Sequence, residues 1–306
     1  MLKNRSVMAL PWLALSLLLA GCGNDAAGPP AEEAVPEAEV AEHQEPALPE
    51  VGALIQQALQ GEHRSEQNKA RDEYRNPLET LIFFGLQPDM TVVEFWPGGG
   101  WYTEVLAPVL HEHGQLVLAS FPEEGGSEFT RRSAQALREK LDSAPEVYGN
   151  VDVVPFLLPD HASLGPDASA DLVLISRHFH NLIAQGIEDE VLQAAYEVLR
   201  PGGTLAILQH RADHEAVPES EERNGYVREQ YVIERAASAG FILSGRSEIN
   251  ANDNDTRDHP AGVWTLPPTL RYCAQMEDED EKAECEAHYR NIGESDRMTI
   301  RFTKPE

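Results

Sequence analysis

Val92-Val93-Glu94-Phe95-Trp96-Pro97-Gly98-Gly99-Gly100-Trp101-Tyr102-Thr103 is the stretch whose reading decides the fold. An apolar, β-branched run reaches an acid, then a proline and three glycines, and beyond them Val105, Leu106, Val109 and Leu110 recur at helical spacing. The pattern predicts a strand, a tight turn and a helix. Pro97 fixes its own φ and pushes Trp96 toward extended backbone, while residues without Cβ let a ligand approach N–H groups at a helix N-terminus. Such a turn is a place to hold a small polar cofactor. A glycine turn also serves as a plain strand-to-helix connection in any parallel α/β protein, and glycines alone do not separate the two readings.

Outward from this turn, strands and helices alternate. A helix is expected over 67–74, and Pro77 at a first helical position opens a short apolar helix through Phe84 that Gly85 stops. After the first strand, further strands are expected over 114–121, 151–156, 171–176, 204–209, 241–249 and 298–303, with helices over 129–141, 187–199 and 226–239. The alternation implies an α/β, doubly wound, mostly parallel seven-stranded sheet with right-handed crossovers. Ligands of such sheets lie beyond the carboxyl ends of the strands. The stretch 250–297 is too long for a simple connection and reads as a subdomain inserted before the last strand.

Glu94, Gly98 and Gly100 match a hydrophobic-hydrophobic-acid-x-Gly-x-Gly-x-Gly pattern, and the stretch resembles motif I of the class I S-adenosylmethionine-dependent methyltransferases. Asp171-Leu172-Val173-Leu174-Ile175 resembles the motif IV strand of that family, and Val198-Leu199-Arg200-Pro201-Gly202-Gly203-Thr204-Leu205 its entry to strand five. The resemblance covers about 67–249 and the final strand. Within the family, Trp-Pro-Gly-Gly-Gly-Trp-Tyr-Thr at 96–103 and Gly-Val-Trp-Thr-Leu-Pro-Pro-Thr-Leu-Arg at 262–271 are similar to a group of predicted secreted methyltransferases. The resemblance implies a Rossmann-like fold, S-adenosylmethionine as cofactor and a small-molecule acceptor. It makes Glu94, Trp96, Pro97, Gly98, Gly99, Gly100, Tyr102, Ser120 and Asp160 the cofactor-binding residues, Asp160 standing where the family often sets an acid against the adenine amine. Two positions depart from the pattern. Trp96 replaces the first glycine, and strand two ends on Ser120 where the family has a carboxylate that accepts from both ribose hydroxyls. The two departures leave three alternatives: a weakened hold on the cofactor, a loop that binds it differently, or a fold that has lost it.

Ser176-Arg177-His178-Phe179-His180-Asn181 follows strand four, where members acting on small molecules place groups facing the transferred methyl. In-line methyl transfer needs a positioned acceptor and, for oxygen or nitrogen acceptors, removal of a proton. His180 is the candidate base, with Arg177 and Asn181 orienting the acceptor; the alternative is that His180 and Asn181 cap the next segment. His178 and His180 with His161 or His210 make a three-histidine alternative, but no established ligand spacing emerges, and no metal is expected. Arg71, Asp72, Tyr74 and Arg75 either cross the cofactor mouth or form a solvated helix, and 253–259 with 264–271 are read as a lid or as subdomain packing. The competing function is a non-catalytic ligand-binding or scaffolding protein on the same fold.

The chain of 306 residues is 42% hydrophobic, enough for a sizeable α/β core, and its 52 acids against 24 bases give a formal charge of −28. Nucleic acid is therefore not an expected partner, since phosphate binding needs a basic face. Lys3 and Arg5 precede an apolar run over 7–20 that is too short to span a bilayer and has the shape of a secretory signal over 1–21. Leu19-Ala20-Gly21-Cys22 resembles a bacterial lipobox, which implies lipid on Cys22 and a periplasmic, membrane-anchored protein, Gly23 favouring the outer membrane. Residues 22–50, rich in Ala, Pro and Glu and without Lys or Arg, read as a disordered acidic tether of about 3 Å per residue before a methyltransferase-like domain over 51–306. With Cys22 lipidated, Cys273 and Cys285 remain, and in an oxidising compartment they are expected as a disulfide, with two free thiols as the alternative.

Overall fold

Seven strands form one sheet: β1 (Thr91–Phe95), β2 (Gln115–Ser120), β3 (Val151–Pro155), β4 (Ala170–Ser176), β5 (Leu199–His210), β6 (Ile242–Ser247) and β7 (Arg297–Thr303), in the order β3-β2-β1-β4-β5-β7-β6. They are seen in a computed structural model that describes residues 50–213 and 224–306; the signal segment, Cys22 and the tether through residue 49 lie outside the described residues. The strands β1 to β5 pair in parallel, whereas β7 runs antiparallel to both β5 and β6. The sheet is therefore mixed. The antiparallel strand has a geometric origin: the chain leaves β6 at the carboxyl edge, builds the 250–296 insertion there and re-enters the sheet from the same edge at Arg297, opposite His210. The insertion thus covers the edge where open α/β sheets take ligands.

The period-two alternation of each strand divides the core into two layers. Val93, Phe95, Val173, Ile175, Leu205 and Ile207 face one side, with Val191, Leu192 and Ala195 of a helix over Glu188–Val198. Val92, Leu116, Leu118, Leu172, Leu174, Ala206 and Leu208 face the other, with α1 (Glu50–Leu59), the helix Pro77–Phe84 and the helix Thr103–Leu110. Burial on both faces is why β4 reads as an unbroken apolar run.

Among the described residues, α1, Pro145–Tyr148, Phe179–Gln185 and Glu279–Ile292 are helices beyond those expected from the sequence; α1 buries Val51 and Ile55, and Phe179–Gln185 buries Phe179 and Leu182. The helix expected over 67–74 is instead two single turns, Glu66–Lys69 and Asp72–Arg75, parted at Ala70 and Arg71. The break lets Asn68 bond Glu104 at 2.9 Å while Arg71 and Arg75 turn to Glu294. In the insertion, Cys273 and Cys285 form a disulfide. It ties the helix Glu279–Ile292, which buries none of its own residues, to the fully buried Cys273.

Candidate functional site

The glycine turn leaves β1 at the point where the strand order reverses, between β2 and β4. Trp96 holds the exit by donating its N–H to Ala119 O at 2.8 Å, and Gly100 N–H closes the turn onto Pro97 O at 2.9 Å. Gly98 stands at φ 58°, a left-handed conformation that costs a residue with a Cβ. At Gly100, Lys140 Cε would sit 2.8 Å from a Cβ, so that position admits only glycine without a shift. At Gly98 and Gly99 nothing lies within 4 Å of where a Cβ would stand, and both are exposed. Their backbone is open to an approaching ligand. Trp96 departs from the expected extended backbone: its φ is 44°. Its indole is held there by Phe95 at 4.7 Å, Phe121 at 4.8 Å and His178 at 5.7 Å, so it spans the ends of β1, β2 and β4. A left-handed residue with a bulky side chain is strained by about 1–3 kcal/mol, a cost this packing offsets.

Beneath the turn, Glu94 is buried and accepts from Thr103 Oγ1 at 2.7 Å. Burial raises its pKa to about 7 against the opposing pull of Thr103 and Lys140. An acid so placed gains from a cationic neighbour. Ser120 is buried at the end of β2. Asp160 is exposed, at the tip of a turn closed by reciprocal bonds between Leu157 and His161, and its carboxylate makes no hydrogen bond among the described residues. The residues over 94–102, Ser120 and 177–181 therefore gather at the carboxyl ends, while Asp160 stands out in solvent.

The turn after β4 carries Arg177 at φ 61°, its N–H donated to Leu208 O at 2.6 Å. Asn181 donates to His178 Nδ1 at 3.2 Å, and His178 also meets the Trp96 backbone, which pins the two turns together. For His180 the partner is Gln209. Phe179 N–H donates to Gln209 Oε1 at 3.1 Å and Gln209 Nε2 donates to Gly225 O at 2.9 Å, which fixes the amide orientation. His180 Nδ1 then lies 3.1 Å from Gln209 Nε2 and 3.4 Å from Gln209 Oε1; the shorter contact makes Nδ1 the acceptor, which leaves the ring proton on Nε2. Burial lowers the pKa of His178 to about 3 and of His180 to about 4, and pushes His210 well down. All three imidazoles are neutral. In this tautomer His180 Nε2 is a donor, and it takes up a proton only after the proton moves to Nδ1. Among the described residues no three His, Cys, Asp or Glu side chains are grouped to hold a metal ion.

A second cluster was hidden in the sequence. Arg71 Nε donates to Glu294 Oε1 at 2.7 Å, Arg75 Nε to Oε2 at 2.9 Å, and Arg297 Nη1 to Oε2 at 3.2 Å. Arg75 is also stacked 4.6 Å over Trp101. Burial would raise the Glu294 carboxyl, but Arg75, Arg297, Arg177 and Arg71 together hold it at about 2. Of these residues the sequence singled out Arg71, Arg75 and Arg177; Glu294 and Arg297 carried no motif. Trp264 of the insertion meets His180 at 5.7 Å and roofs this side of the edge.

The chain matches no protein-family model. It is 30% identical over 125 residues to the ubiquinone/menaquinone biosynthesis C-methyltransferase UbiE of Hydrogenovibrio crunogenus, covering 41% of this chain and 44% of that one. It is 28% identical over 138 residues to UbiE of Pseudoalteromonas translucida, covering 45% and 49%. The chain spans about half the length of the curated relatives it matches. Among solved structures, the [4+2]-cyclase SpnF superposes with a TM-score of 0.51 at 15% identity, over 83% of this chain and 93% of that one. A putative sarcosine dimethylglycine methyltransferase of Galdieria sulphuraria superposes with a TM-score of 0.50 at 13% identity, over 76% of this chain and 85% of that one, and the fold is that of the class I S-adenosylmethionine-dependent methyltransferases.

Proposed function

We propose that the protein is an S-adenosylmethionine-dependent methyltransferase acting on a small molecule at the carboxyl edge of its sheet. The observation that carries this reading is the Gly98-Gly99 backbone, open to approach at the switch point directly above a buried acid. The likeness to two UbiE C-methyltransferases, over 125 and 138 residues, supports it. Gly98 and Gly99 would hold the cofactor through their N–H groups, Glu94 would face its cationic end, and Ser120 would stand in for the missing ribose acid. When bound, the cofactor supplies an electrophilic methyl group on a sulfonium. The chain's own share is positional: Arg177 and Asn181 orient the acceptor, and His180 moves its proton once the Nε2 proton has shifted. The lipobox and acidic tether support a lipid-anchored periplasmic protein of the secreted group, for which a Cys22→Ser variant is released from membranes; unaltered fractionation would contradict the anchor.

A second reading, ligand binding without turnover, is favoured by the Trp96 indole lying across the strand ends. Calorimetry of the full chain with S-adenosylmethionine and S-adenosylhomocysteine tests the first reading, which expects micromolar binding. Absence of heat with both ligands sinks it. Binding without transfer of a labelled methyl group to any acceptor extract selects the second.

A further inference from the structure

We propose that the methyl acceptor is a small organic acid whose carboxylate seats on the guanidinium cluster of Arg71, Arg75, Arg177 and Arg297, with its apolar body toward His180 and Trp264. This rests on the methyltransferase reading and gives it a substrate class. The cluster gathers four guanidiniums about the one carboxylate of Glu294, a surplus of three positive charges in a chain whose formal charge is −28. Buried cations are stable where they are paired, and a surplus of this kind calls for an anion.

The unmet hydrogen-bonding groups mark where it goes. Arg71 Nη2, Arg75 Nη2, Arg177 Nε and the Tyr102 hydroxyl are all buried without a partner. Arg75 is 1% and Tyr102 3% exposed, so bulk water does not serve them. Arg177 makes no ion pair of its own among the described residues, yet its charge bears on Arg75, Tyr102 and Glu294. It enters from the β4 turn in a left-handed conformation that a bulky side chain adopts only when the surroundings hold it there. Glu294 shows that three of these arginines already accommodate a carboxylate at 2.7 to 3.2 Å. A fork of N–H donors matches that planar group.

The seat continues into an aromatic wall. Arg297 pairs across the sheet with His210, whose ring lies 5.5 Å from His180, and His180 in turn meets Trp264. With its imidazoles uncharged, this end of the edge takes an apolar body and leaves charge recognition to the arginines.

The test titrates the full chain, loaded with S-adenosylhomocysteine, with benzoate and with its neutral analogue benzamide at fixed ionic strength. Benzoate should bind at least about tenfold more tightly than benzamide. Arg177→Leu should abolish that preference while leaving the affinity for S-adenosylhomocysteine within about twofold. Glu294→Gln, which removes the internal charge and keeps the shape, should tighten benzoate about tenfold, a gain that a purely structural glutamate would not give. Equal binding of the two probes, absence of binding by either, or benzoate affinity untouched by Arg177→Leu would overturn the proposal. Loss of S-adenosylhomocysteine together with benzoate in Arg177→Leu would also overturn it, assigning the arginines to the cofactor's own carboxylate. Failure of the parent reading is separate: no heat with S-adenosylhomocysteine, but benzoate preferred to benzamide, leaves an anion seat on a chain that does not take that cofactor.

Discussion

Glu94 and Glu294 are both almost wholly removed from water, at 3% and 4% exposure, and they titrate in opposite directions. Glu94 has one hydroxyl bond and the field of Lys140 to oppose burial, so burial prevails and its pKa rises to about 7. Around Glu294 the same burial is outweighed by four guanidiniums, and the pKa falls to about 2. Burial alone therefore does not fix the charge of a carboxyl; the neighbours brought to it by the fold do. One acid lacks a paired cation and the other has more than it needs. On the proposed reading, the first awaits a cationic ligand and the second shares its cations with an anionic one.

The largest consequence concerns Glu294. Glu294→Gln removes the charge that three hydrogen-bonded arginines surround and should cost about 3 kcal/mol at neutral pH, read from denaturant unfolding. Because its folded pKa is depressed, Glu294 contributes stability above the ordinary carboxylate range, near about 4.3, and loses it as pH falls toward 2. The gap between wild type and variant should close over that window. A gap independent of pH would break the comparison.

Glu94→Gln should act with the opposite sign and about 3 kcal/mol of effect at pH 8. A raised folded pKa means that the wild-type protein loses stability as pH rises from about 4.3 to 7, so the variant should match it at pH 4 and exceed it at pH 8. Melting temperatures across that range check this, and a variant less stable at pH 8 would contradict it. A smaller effect sharpens the same contrast. If a cationic cofactor meets Glu94, binding near pH 7 should release up to about half a proton, seen as a dependence of the binding heat on buffer ionisation. Heats equal in phosphate and Tris would remove Glu94 from the cofactor's contacts.

The same contrast separates what could be read in the sequence from what could not. The strands, the glycine turn and Glu94 are legible because the information is contiguous: an apolar run, an acid and glycines within a dozen residues. The inserted stretch is legible by its length. The cluster about Glu294 is assembled from positions 71, 75, 177, 294 and 297, which no local pattern connects, and it exists because β7 returns antiparallel from the carboxyl edge. Trp96 misled for a related reason. Pro97 disfavours a left-handed predecessor locally, but Phe95, Phe121 and His178 reward it in the folded state. Asp160 was named by the family resemblance, and it stands exposed at the tip of the turn that Leu157 and His161 close.

The central claim is that the backbone at Gly98 and Gly99 receives the cofactor. Gly99 has free space where a Cβ would stand, so Gly99→Asp should leave the fold intact while placing a carboxylate in the path of the ligand. Calorimetry of the two full chains with S-adenosylhomocysteine is the direct measurement. The account predicts micromolar binding by wild type and a loss of at least about a hundredfold in the variant, its melting temperature unchanged. No binding by wild type, or equal binding by both, would contradict it.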